Sequence, residues 1–191
     1  MGISIQTLSE ADRRLVAEWA AVCAERVLPL FEAECPDDER PRAAIARTRA
    51  FARGELDTAS EIRRRFGGGS AYQDARSAAA ADAARAAGQA SAVCHMGAHA
   101  LGAAAYAVRA TSFAGRDQLG VAETEIGWQF AHMTAEMRAA LASLPLVGED
   151  RSGPLGPGLL ASGEIGKIIR QIQSGLAGSK CQLPVSRLNG D

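Results

Sequence analysis

Residues 71–110 read AYQDARSAAA ADAARAAGQA SAVCHMGAHA LGAAAYAVRA, and 19 of these 40 residues are alanine. Alanine has the highest helix propensity of any residue and the smallest side chain that still packs. The stretch therefore predicts helices able to approach their neighbours closely. Gly88 weakens a helix interior by about 1 kcal/mol. The segment is accordingly read as two helices, Ala71–Ala87 and Gln89–Phe113, jointed at Gly88, or as one long bent helix.

The flanking segments repeat the helical period. Leu15, Val16, Trp19, Cys23, Val27 and Leu30 recur at steps of three and four, an apolar stripe on a first helix. Ser9 is placed to cap its start, with Asp12 at the capping-box position. Pro29 predicts a kink or an early end. A second helix opens at Pro41, whose missing N–H costs nothing in a first turn, and stops at Gly54. A short third helix starts near Thr58, where Thr58-Ala59-Ser60-Glu61 reads as a capping box. Gly67-Gly68-Gly69 ends it in a joint, and no Gly-Lys-Ser/Thr follows to make a phosphate loop. A further helix is expected from Asp117 to Leu144, with Ile126, Phe130, Met133, Met137 and Leu141 on one face. Residues 145–163 carry three prolines and five glycines and read as a loop. Ile165, Ile168, Ile169, Ile172 and Leu176 stripe a last helix beginning near Ser162.

No segment alternates like a strand. The expected fold is all-α, a single bundle of about six to seven helices with alanine-rich central helices. The helical domain is placed at residues 8–177, with a flexible C-terminal tail at 178–191.

Composition narrows the function. The net charge is −1 with both signs interspersed, so no basic footprint for nucleic acid is present. No run reaches the length of a membrane span, and the N-terminus lacks the pattern of a secretory signal. The four cysteines, Cys23, Cys35, Cys94 and Cys181, form no C-x-x-C pair. A cytoplasmic location with reduced thiols and no cofactor is the expectation.

His95 and His99, four apart, would share one face of a helix. With His132, Glu123 or Glu125 from elsewhere they could hold a metal or form a catalytic group. The plainer reading is two imidazoles bonded locally at a helix interface, and no metal site is assigned. Arg40 and Arg42 flank Pro41 behind Asp37-Asp38-Glu39, either as local ion pairs or as contacts to a partner's carboxylate. Glu18, Glu25, Glu32 and Glu34 are either a solvated surface or an acidic face for a basic partner. Trp19, Tyr72, Tyr106 and Trp128 are core candidates and also residue types enriched at binding hot spots.

Two blocks carry a family resemblance. They are residues 8–55, LSEADRRLVAEWAAVCAERVLPLFEAECPDDERPRAAIARTRAFARGE, and residues 83–110, AARAAGQASAVCHMGAHALGAAAYAVRA. The matching positions are Val27–Glu32, Asp38–Ile45, Ala46–Glu55 and His95–Tyr106, and the likeness extends over residues 8–145. They resemble an all-α bacterial family labelled "putative immunity protein". The resemblance implies a protein that blocks a cognate toxin or effector by binding it, without chemistry of its own. Trp19, Arg40, Arg42, His95, His99 and Tyr106 are the candidate contacts. The alternative is a small-molecule-binding protein or enzyme of self-resistance or specialised metabolism. Its interhelical pocket would surround His95 and His99, with Glu125 as a third catalytic candidate. In a third reading, a homo-oligomer forms when the C-terminal helix pairs with its own copy.

Overall fold

The computed structural model describes residues 4–64, 70–115 and 118–178. Among them are eight α-helices and no strand: α1 (Glu10–Glu32), α2 (Arg40–Ala52), α3 (Thr58–Arg64), α4 (Ala78–Ala92), α5 (His99–Ala114), α6 (Val121–Ala131), α7 (Ala135–Ala142) and α8 (Gly163–Gly178). The triple glycine and the tail beyond residue 178 lie outside the described residues. The fold is an all-α bundle, and no described helix is long and apolar enough to cross a membrane.

Three helices, α1, α4 and α5, pack against one another at the centre. Their contacting faces are largely alanine. Ala17, Ala20, Ala21 and Ala24 of α1 meet Ala83, Ala84 and Ala87 of α4 and Ala100, Ala103, Ala104 and Ala107 of α5 in one core, none more than 1% exposed. Methyl-sized side chains let helix axes come to the short end of the usual spacing of about 8–10 Å. Larger side chains close the core around them: Trp19, Phe31, Phe51, Leu101 and Ile169 are all buried. Around this centre α2 lies on α1 and α4, α6 and α8 lie on α5, and α7 bridges α1 and α8.

Local signals account for several boundaries. The Ser9 side chain accepts from the Asp12 amide at 3.0 Å. Gly54, at φ +80°, closes α2. Its N–H reaches the Phe51 carbonyl, and the Glu55 N–H reaches the Ala50 carbonyl. This is the paired bonding of a left-handed C-cap, a conformation glycine adopts without steric cost. Pro29 lies inside α1, and the helix ends three residues later at Glu32.

Four expectations are corrected. The alanine-rich segment does not break at Gly88, which lies inside α4. It breaks at residues 93–98, where the Gly97 and Ala98 amides donate to the Thr7 and Gln6 carbonyls at 3.1 and 3.0 Å. The N-terminal segment thus docks into the turn and takes those amides from the helix. A β-carbon on Gly97 would lie 2.5 Å from the Leu8 side chain, so any larger residue there requires Leu8 to shift. The helix expected over Asp117–Leu144 is instead α6 and α7, because Thr134 caps a new start by accepting from the Met137 amide at 3.2 Å. The cap of α3 is Asp57, which accepts from the Ser60 amide at 3.0 Å, and not Thr58. Finally, α8 does not offer its apolar stripe to a second copy. Ile165, Ile168, Ile169, Ile172 and Leu176 are at most 4% exposed, already covered within the chain.

Two buried glutamines hold the Pro/Gly-rich loop. Gln6, wholly buried, donates to Asp150 Oδ2 and to the Ser152 carbonyl, both at 2.7 Å, and accepts from the Leu155 amide at 2.9 Å. Gln173 of α8 accepts from the Val147 amide at 3.0 Å and donates to the Pro145 carbonyl at 2.9 Å. A loop without regular structure has its inward backbone groups bonded by side chains instead. Gln6→Leu keeps the bulk but orphans the buried Leu155 amide. It is expected to cost about 2 kcal/mol, lowering Tm by about 6 °C. Hydrogen exchange at Leu155 should accelerate in parallel; unchanged protection there would show that the clamp is not what holds the loop.

Candidate functional site

Between Ala78 and Ala114 the chain carries only three Asp, Glu, Lys or Arg residues: Asp82, Arg85 and Arg109. The fold brings all three together. Asp82, Arg85 and Gln89 follow one another at steps of three and four along one face of α4. His99, Tyr106, Arg109 and Phe113 do the same along α5 at steps of seven, three and four. The two faces meet in a seam between the paired helices.

The centre of the seam is the Asp82 carboxylate, only 1% exposed. Arg109 grips it with both prongs, Nε to Oδ2 at 2.6 Å and Nη2 to Oδ1 at 2.9 Å. Arg85 adds a third bond, Nη1 to Oδ1 at 2.9 Å. A carboxylate removed from water requires such charge-assisted partners to be tolerated. Aromatic rings seat the guanidinium groups. Arg85 lies 4.3 Å over the Tyr72 ring, and Arg109 lies 5.3 Å from the Tyr106 ring and 5.8 Å from Phe113. Cation–π contacts of this kind are worth about 0.5–2 kcal/mol. Burial pushes the Tyr106 phenol above its ordinary range, so it stays a neutral hydroxyl.

The seam continues towards the start of α2. Tyr72 belongs to a short 3-10 turn, Ala71–Gln73, and Asp74 follows it. Arg40 pairs with Asp74 across the gap and with Asp38 beside it. The Arg40 guanidinium holds the Asp38 carboxyl below the usual carboxylate range. Arg42 is exposed and pairs with Glu32 at 2.6 Å. Glu34 accepts from the Arg76 and Ser77 amides and so ties the end of α1 to the start of α4.

The sequence candidates are distributed as follows. His99 is the first residue of α5, with Nδ1 2.8 Å from Gln89 Oε1. His95 lies in the preceding turn, so the two do not share a helical face. Among the described residues no group of three His, Cys, Asp or Glu is arranged to hold a metal. Glu125 is buried on α6 and bonded to Arg26 at 2.7 Å and to Gln129 at 3.3 Å. Glu123 is exposed in the first turn of the same helix. His132 is exposed and stacks on Trp128 with ring centroids 3.9 Å apart. Trp19 is at 0% exposure and donates from Nε1 to the Gln129 carbonyl at 3.0 Å, a place in the core rather than on a contact surface. Tyr106, 2% exposed, lines the seam from within. Cys23 is buried, and its burial pushes the thiol well above its ordinary range, which makes it unreactive.

Asp82, Arg85 and Arg109 were not among the candidates read from sequence. The available signal was their isolation: three charges in a run otherwise made of alanine and other small or apolar residues. Away from the seam, a concavity of about 550 Å³ lies between α1, α2 and α7. Leu15 and Met137 give it apolar walls, and Arg14, Glu18, Arg49 and Arg53 its polar ones. Neither His95 nor His99 lines it. Its arginines are largely occupied: Arg14 by Glu10 and the Phe51 carbonyl, Arg49 by Glu18 and Glu25, Arg53 by Glu55.

Neither a curated protein nor a solved structure matches the chain. A family model, described as "Imm-5 like putative immunity protein", matches residues 6–136. That span runs from the Gln6 clamp through α6 and contains the whole seam. The chain therefore belongs to this immunity protein family.

Proposed function

We propose that this protein is an immunity-type binding protein that neutralises a cognate toxin or effector by non-covalent association in the cytoplasm. The contact surface runs from the start of α2, with Arg40 and Arg42, over Tyr72 to the α4–α5 seam and on to His99 and His95. Family membership supports the role. The observation that carries the location is the continuity of ion pairs and ring contacts from Arg40 through Asp74 and Tyr72 to Arg85 and Arg109. Arginine and tyrosine are the residue types that dominate binding hot spots, and a bonded lattice presents them with little entropy left to lose. Tyr106 supports this surface from beneath, whereas Trp19 is held in the core against Gln129 of α6.

Co-expression tests the role. Candidate toxins encoded beside the gene are produced with and without the full chain. Growth should be restored only with the chain, and a stoichiometric complex should elute on gel filtration. The interface should exceed about 1,000 Å² in total. Arg42→Ala should weaken the complex with little change in melting temperature, because the ion pair it removes with Glu32 is exposed. Undiminished toxicity across all such candidates, with no complex formed, would end the proposal.

The cleft between α1, α2 and α7 favours a second reading, a small-molecule-binding protein of self-resistance or specialised metabolism. Its volume is within the usual range of such pockets, about 300–1,000 Å³. A thermal-shift screen with the full chain separates the two, because a ligand selective for the folded state raises the apparent stability.

A further inference from the structure

We infer that the α4–α5 seam is an oxyanion-binding site, in which Arg85 and Arg109 together receive a carboxylate or phosphate group on the outer edges of their guanidinium ions. The inference concerns the chain alone and stands whether or not a toxin is its partner. If one is, an acidic side chain is the group that would seat there.

Asp82 carries one negative charge, and the two-pronged bond from Arg109 already meets both of its oxygens. Arg85 is a second cation on the same carboxylate. The cluster thus holds an excess positive charge at the surface of two helices that are otherwise uncharged. The other carboxylate acting on Arg109 is Glu164 at the start of α8, and it is 58% exposed and drawn towards Lys167.

Arg85 uses Nη1 for Asp82, and Arg109 uses Nε and Nη2. Among the described residues, neither arginine donates a hydrogen bond to any other group, which leaves Nε and Nη2 of Arg85 and Nη1 of Arg109 unclaimed. The side chains are 32% and 24% exposed, so part of each guanidinium faces solvent. A planar guanidinium offers paired N–H groups that match the spacing of carboxylate and phosphate oxygens.

Arg85 is held between Asp82 and the Tyr72 ring, and Arg109 between Asp82 and the Tyr106 and Phe113 rings. Arginine side chains fixed in advance lose less conformational entropy when they bind. Tyr106, held neutral by its burial, adds no negative charge to repel an anion.

The test uses the full chain labelled with nitrogen-15. Inorganic phosphate and succinate are titrated separately at constant ionic strength, with sodium chloride as the control. The Nε–Hε signals of Arg85 and Arg109 should shift saturably with at least one of the two anions and not with chloride. Tighter binding of phosphate would assign the site to phosphorylated ligands, and tighter binding of succinate to carboxylates. Arg85→Gln leaves the Arg109–Asp82 pair in place and should weaken the response about ten-fold. Arg85→Lys, which keeps the charge but loses the fork, should also weaken it, and it serves if the glutamine variant melts early. No saturable shift with either anion, or wild-type titration by both variants, would overturn the inference. Neither result depends on the toxin assay.

Discussion

Trp19→Ala is expected to destabilise the protein by about 4 kcal/mol, the usual scale for removing a large aromatic side chain from a packed core. Trp19 is wholly buried at the meeting of α1 with α5 and α6, among alanines too small to fill the space it would leave. Its Nε1–H also satisfies the backbone carbonyl of Gln129, a residue whose side-chain Oε1 is itself buried without a hydrogen-bond partner among the described residues. Urea unfolding monitored by circular dichroism measures the loss. Trp19→Phe separates packing from bonding: it restores most of the volume, forfeits the hydrogen bond and should cost about 1–2 kcal/mol. Partner binding should survive in Trp19→Phe, since the indole is wholly buried and bonded within the core. A Trp19→Phe protein that is stable but has lost the partner would place the indole in the interface instead.

Asp82→Ala should cost about 3 kcal/mol. Removing one member of a buried ion pair commonly costs about 3–5 kcal/mol, because the remaining charge is left without compensation. Here the orphaned groups are Arg85 and Arg109, both partly exposed, and their residual hydration keeps the effect at the lower end of that range. Two cations then face each other across the seam, so added salt should recover part of the loss. The double variant Asp82→Ala with Arg109→Met should be more stable than Asp82→Ala alone, since it removes charge from both sides. A loss below about 1 kcal/mol for the single variant would show that the carboxylate does not hold the seam together. Comparison with Arg85→Gln is useful here. That substitution leaves Asp82 neutralised by Arg109, and it should affect anion binding far more than stability.

The elements that could be read without coordinates are those whose start and stop signals are local. Ser9 caps α1 through an amide three residues on, Pro41 sits where α2 begins, and Gly54 ends that helix with a left-handed cap. The isoleucine stripe of α8 is buried as its period required. The break between α4 and α5 could not be read this way. Gly88 and Gly97 carry the same helix penalty, yet the chain turns only at residues 93–98, where an N-terminal segment about ninety residues away supplies the bonding partners. The Pro/Gly-rich loop was recognisable as a loop. Its attachment through Gln6 and Gln173 was not, because a buried glutamine has no sequence pattern.

The seam divides in the same way. Alanine density and helical period were enough to determine an all-α bundle with closely approaching central helices, since propensity and side-chain size act within a few residues. Which face of α4 meets which face of α5 was decided only by tertiary packing. That packing placed Arg109 on Asp82, 27 residues away, and put Tyr72 over Arg85, while it left His95 off the helix that carries His99. Charge pairing depends on distance in space, and spacing along the chain constrains that distance only inside a single helix.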